Sequence, residues 1–164
     1  MKSSNYSKTR GTLRWSIVCS LLPCFIATSS AQLGNVIGYA PPQKVTVKAG
    51  APVDSALKLN LKQGFHVNSN MPSEDYLIPL KLTWNEGALE AAGTTFPKPE
   101  SHKYSFAQMP LSVYTGDFEI VTHFKAKAKP GVSSMTGKLR YQACNDNMCL
   151  PPKTLEVKVD VEVQ

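Results

Sequence analysis

Cys144 and Cys149 are the side chains of this sequence best suited to covalent chemistry. They lie in Tyr141-Gln-Ala-Cys144-Asn-Asp-Asn-Met-Cys149-Leu-Pro-Pro152, and the other two cysteines, Cys19 and Cys24, fall within the first 24 residues. Two thiols at this spacing suit an intrachain disulfide. Such a bond is either a fixed staple or a reversible two-electron couple, opened by attack of a thiolate on sulfur. A staple across so short a loop stabilises by about 2–3 kcal/mol on the loop-entropy account. Copper(I), held by both thiolates with a histidine or Met148, is a third chemistry, because soft sulfur donors suit that ion. The chain has no dense His/Met repeat and no second cysteine pair outside its first 24 residues, so no metal or other cofactor is assigned.

The flanking residues must position the pair. Lys138 to Ala143 alternates polar and apolar, and Lys153 to Val163 does so again, with Leu155, Val157, Val159, Val161 and Val163 on one side. Strict alternation marks half-buried strands. Asn145-Asp146-Asn147 between them is turn chemistry, so the two runs form a β-hairpin with the cysteines at its base. Facing residues there have Cα atoms roughly 4.5–5.5 Å apart, within the usual disulfide range of about 4.4–6.8 Å. Leu139, Tyr141 and Ala143 share the core face. Lys138, Arg140, Gln142 and Cys144 share the other, so Cys144 is expected to look outward, where a thiol is reactive. Pro151 and Pro152 supply no N–H, which leaves backbone beside Cys149 open to an incoming chain.

Residues 1–31 read as a secretory signal. Lys2, Lys8, Arg10 and Arg14 precede an apolar run from Trp15 to Ala27, and Ser29-Ser30-Ala31 offers a small-residue cleavage site. The run is shorter than the roughly 20 residues that span a bilayer. Export places the chain in the periplasm or another extracytoplasmic compartment, where disulfides persist. Removal of the signal leaves 133 residues carrying 14 basic against 12 acidic side chains, a formal charge of +2 instead of +6. The basic character therefore belongs to the signal and makes no case for a nucleic-acid partner. No later run is apolar enough to span a membrane. Residues 32–42 read as a flexible leader, and 43–164 as one domain, expected to be a monomer.

The domain alternates with period two. Val45 and Val47, Leu57 to Leu61, Phe65 and Val67, Leu80 to Trp84, and Phe118 to Ala128 precede the hairpin. Gly or Pro punctuates the gaps. Only Gly87 to Gly93 has the composition of a helical turn. About seven strands in a chain of this length predict an all-β, antiparallel β-sandwich. No Gly-rich phosphate loop, His-Glu-x-x-His or Gly-x-Ser-x-Gly is present.

The cysteine segment, Tyr-Gln-Ala-Cys-Asn-Asp-Asn-Met-Cys-Leu-Pro-Pro, resembles the N-terminal periplasmic domain of the thiol:disulfide interchange protein DsbD. Upstream, Gly64-Phe-His-Val-Asn-Ser-Asn70 with Tyr76-Leu-Ile-Pro79 is similar to the strand pair beneath that family's active site, and Ser105 to Tyr114 to its cap loop. The likeness spans about 43–163. It implies an immunoglobulin-like sandwich whose terminal hairpin carries a reversible disulfide, Cys144–Cys149. It further implies that Cys149 forms the mixed disulfide and Cys144 resolves it. The implied partners are thioredoxin-fold periplasmic proteins and a separate thiol reductant, membrane-linked or soluble, since this sequence ends at Gln164 without an electron-carrying membrane part. Such a protein would be a thiol:disulfide oxidoreductase.

Four further residues are candidates for shielding or tuning the pair. Phe106 is the expected cap, with Tyr104 and Met109 less favoured in the same loop. His66 and Asn68 have outward parity, and an imidazolium at His66 would favour thiolate. Tyr141 adjoins the cysteine segment on the core side. Asp146 is read as a turn former, His123 with Lys125, Lys127 and Lys129 as a solvated strand face, and His102 as a loop residue. A competing reading keeps the sandwich as an extracytoplasmic binding or scaffold module whose disulfide is structural, with function on its surface.

Overall fold

The β10–β12 hairpin carries the cysteine segment and is the longest ladder of the fold. In the computed structural model, which describes residues 35–127 and 129–164, β10 (Gly131–Tyr141) and β12 (Lys153–Val163) pair antiparallel from Gly131 opposite Val163 to Tyr141 opposite Lys153. Their alternation buries Met135, Leu139, Tyr141, Val157, Val159, Val161 and Val163. The expected signal at 1–31 lies outside the described residues, as does Ala128.

Two four-stranded sheets face each other. One has the order β1-β3-β9-β6, from β1 (Ile37–Ala40), β3 (Pro52–Leu61), β9 (Asp117–Ala126) and β6 (Leu89–Thr95). The other has the order β2-β12-β10-β5, from β2 (Val45–Val47), the hairpin and β5 (Lys81–Trp84). All pairings are antiparallel except β2 beside β12. The inner faces meet in one cluster around Ile37, Leu57, Leu59, Ile120, Leu139 and Val157 and another around Phe124, Val159 and Val161. Trp84 ties the layers together: its indole N–H donates to Thr122 Oγ1 at 3.0 Å and its ring meets Phe124 edge-on.

A third sheet, β11-β4-β8-β7, carries the cysteine segment at one end of the sandwich. It comprises β11 (Ala143–Cys144), β4 (His66–Asn68), β8 (Leu111–Thr115) and β7 (Glu100–His102). Val67, Tyr114 and Ala143 lie in one register row and join the main core. From β8 the chain crosses into β9 through Gly116, whose φ of 57° is left-handed and favours glycine.

Several sequence expectations change here. Residues 37–40, placed in the flexible leader, form a strand: Ile37 is fully buried and pairs with Leu61, and Tyr39 pairs with Leu59. The Gly87–Gly93 stretch is not a helical turn. Leu89–Thr95 is an edge strand on β9 with a bulge between Ala91 and Gly93, because pairing outweighs the helix propensity of its alanines. Residues 76–79 form no strand, and β4 instead pairs with β11 and β8. The Ser105–Tyr114 stretch divides into a loop and strand β8.

Candidate functional site

Residues 142–152 leave the β10–β12 ladder. Ala143 and Cys144 peel away as β11 and pair with β4, setting Ala143 opposite Val67 and Cys144 opposite His66. The chain then turns tightly. Asn145 Oδ1 accepts from the Asn147 and Met148 N–H groups, both at 2.9 Å, an Asx turn that uses the side chain as a backbone substitute. The Asn145 N–H donates to the Met148 carbonyl at 2.9 Å, and Leu150 N–H to the Ala143 carbonyl at 2.8 Å. Cys144 and Cys149 thus face each other as a bridge pair whose own backbone groups point away from each other. Their sulfurs are bonded, and their Cα atoms stand 3.9 Å apart, closer than the hairpin reading expected.

The two cysteines differ in burial. Cys144 is fully buried, and Cys149 is half-buried beside exposed Met148. The outward look expected of Cys144 is corrected: its parity is right, opposite to Leu139, Tyr141 and Ala143, but its face is covered. The same holds for His66, 3% exposed, and Asn68, fully buried. The loop between β7 and β8 lies over His66, and the segment at Leu77 and Ile78 lies beside Asn68 and packs with that loop through Ala107. Ser105 Oγ donates to the Asp146 carbonyl at 2.9 Å, clamping that loop to the cysteine turn. Lys103 Nζ closes the loop on itself by donating to the carbonyls of Ala107 and Gln108.

Within the cover, Tyr104 lies on His66, ring centroids 4.0 Å apart and planes 15° from parallel. Phe106 stacks on the outside of Tyr104 at 5.6 Å and is 40% exposed. The inner ring is therefore Tyr104, which sequence reasoning ranked below Phe106. Met109 is exposed. Tyr141 belongs to the main core, on the face away from Cys144, and supports the segment from beneath. His66, Tyr104, Asp146, Leu61, Lys62 and Gly64 line a groove of about 380 Å³ beside the site.

Burial sets the electrostatics. It lowers the His66 pKa to about 4; Asp146 opposes that shift and His102 adds to it. His66 is thus a neutral imidazole at physiological pH, not the imidazolium considered from the sequence. Burial raises the Tyr104 hydroxyl, with Asp146 and Glu100 adding to the effect. Asn68 Nδ2 donates to the Ile78 carbonyl at 3.0 Å and to Gln142 Oε1 at 3.4 Å. Gln142 Nε2 in turn donates to the Leu150 carbonyl at 3.2 Å, so β4 is stitched to both ends of the cysteine turn. Asp146 lies within the turn, whose side-chain bonds come from Asn145, and its charge acts on His66.

The sequence pattern of the family described as "Thiol:disulfide interchange protein DsbD, N-terminal" matches residues 38–161. The chain belongs to this family. Its fold is the immunoglobulin-like, all-β sandwich expected for a DsbD N-terminal domain, with the disulfide in the connection of its terminal hairpin. Among solved structures, it is similar to the N-terminal periplasmic domain of ScsB from Proteus mirabilis, at 13% identity and a TM-score of 0.53 over 77% of this chain and 51% of that one. The chain thus spans about half the length of that ScsB structure. It is also similar to the reduced DsbD N-terminal domain of Neisseria meningitidis, at 19% identity and a TM-score of 0.48 over 76% of this chain and 86% of that one. Comparison with curated proteins gave no match. Among the described residues, no helix is long and apolar enough to cross a membrane.

Proposed function

We propose that this DsbD N-terminal-type domain relays reducing equivalents between extracytoplasmic thioredoxin-fold proteins through a reversible Cys144–Cys149 disulfide. The observation that carries the reading is the asymmetry of the pair: Cys149 is partly exposed and Cys144 is fully buried. In the reduced domain, Cys149 thiolate attacks a partner's disulfide, forming a Cys149–partner bond and releasing one partner thiolate. Cys144 then attacks Cys149 Sγ, the internal disulfide re-forms, and the partner leaves as a dithiol with two electrons gained. A separate thiol reductant restores the domain by the reverse exchange. Pro151 and Pro152 lack N–H groups, so the strand edge beside Cys149 stays open to an incoming chain. The protein acts as a monomer in the periplasm or an equivalent compartment.

The deciding experiment is the reduction potential of the pair in the purified protein. The reading expects roughly −180 to −270 mV, the range of exchanging proteins. A pair still oxidised below about −300 mV would be a staple and would overturn it. Partner trapping on Cys149 in a Cys144→Ser variant then identifies the donor and the acceptor.

A further inference from the structure

Two polar atoms on the covered face have no hydrogen-bond partner among the described residues: His66 Nε2 and Asn68 Oδ1, in residues no more than 3% exposed. A buried polar atom left unpaired bears its full desolvation penalty. Such an orphan in a native site calls for a state in which it is paired. The disulfide has no hydrogen to offer, and reduction creates one. When a partner dithiol opens the site, the S–S bond breaks and two electrons pass to its sulfurs. The partner's sulfurs join as a disulfide, and two protons end on Cys144 Sγ and Cys149 Sγ. Cys144 is buried and sits directly opposite His66. Side chains so paired have Cβ atoms about 4.5–5.5 Å apart, within reach of an imidazole.

We propose that in the reduced domain the Cys144 thiol donates its hydrogen bond to His66 Nε2, so that His66 favours the dithiol over the disulfide. This role rests on the exchange function proposed above. It requires a neutral ring with its proton on Nδ1, and burial keeps the ring neutral. Tyr104, stacked on the ring, holds its plane.

The test equilibrates the wild type, His66→Phe and His66→Gln with glutathione buffers. Phe keeps the stack with Tyr104 and lacks the nitrogen; Gln places an oxygen near the Nε2 position. The expected result is a disulfide about tenfold harder to reduce in His66→Phe, which corresponds to about 30 mV, with His66→Gln within about twofold of the wild type. In the wild type, the ¹⁵N resonance of His66 Nε2 is expected to move when dithiothreitol reduces the pair. An unchanged equilibrium in His66→Phe, or an unmoved Nε2 resonance, overturns the role of His66. Should His66→Phe fail to fold, the resonance decides alone. A wild-type disulfide that glutathione does not open would instead overturn the exchange function, and the resonance in dithiothreitol would still judge the hydrogen bond.

Discussion

His66 and His123 both sit on strands with the parity that turns a side chain away from the sandwich interior, yet they meet opposite environments. His66 is buried under Tyr104, with Nε2 unpaired and its pKa down at about 4. The His123 side chain is 44% exposed. Its Nδ1 lies 2.7 Å from Asp54 Oδ1 and its Nε2 2.8 Å from Thr95 Oγ1, a chain of hydrogen bonds across β3, β9 and β6. Parity fixes which face a residue takes. Whether that face is dry depends on what folds over it, and only the β7–β8 loop does so at His66.

The largest break in this comparison is expected at the cysteines. With oxidised glutathione, Cys144→Ser should form a mixed disulfide readily at half-exposed Cys149, and Cys149→Ser should not react at buried Cys144. Mass measurement after incubation distinguishes the two, and equal labelling would contradict the asymmetry. His123→Ala should leave labelling of Cys149 unchanged.

Next comes acid. Because the folded pKa of His66 is depressed, the unfolded chain takes up its proton first as pH falls. The stability due to the neutral ring is complete above about pH 6.5 and is lost on the way down to about pH 4, on the order of 3 kcal/mol in all. Urea unfolding at several pH values should show this loss, and His66→Phe should flatten it within that window. A slope that survives the substitution would assign it to other groups.

Removing the inner ring should do less. Tyr104→Ala is expected to cost about 1–2 kcal/mol in urea unfolding, from lost stacking and burial. It should also speed reduction of the disulfide by dithiothreitol, since the cover thins. Phe106→Ala, removing the outer ring, should give a smaller change in both, and the reverse order would restore Phe106 as the principal shield. The smallest effect belongs to the bare face: Asp54→Asn should cost less than about 1 kcal/mol, as exposed pairs generally do.

The scaffold was legible because its strands obey the strongest local rule. Val157, Val159, Val161 and Val163 alternate without a break, and their partners on β10 follow in register. The cysteine pairing and the shared parity of Cys144, His66 and Asn68 came from the same rule. Strand β1 escaped it because Gly38 and Ala40 dilute the pattern ahead of two prolines. Strand β6 escaped because alanines carry no period and only pairing with β9 extends them. The choice of Tyr104 over Phe106 has no local signal: both rings stand two residues apart in one loop. The register of that loop depends on long-range contacts such as Ser105 with the Asp146 carbonyl, between residues 41 apart in sequence.

The β10–β12 ladder ends at Tyr141 opposite Lys153, so residues 142–152 lie outside it, and the ring closed by the disulfide spans a separation of only five residues. The part whose covalent bonds can change is therefore a small pendant on a finished frame. Breaking and remaking the S–S bond redraws the covalent graph of the chain within that pendant and nowhere else. News of the oxidation state has no long lever through which to travel to the far end of the sandwich. On the proposed exchange function, a partner would learn it by touch, at the loop itself, and the rest of the molecule would serve as the same handle through every turn of the cycle.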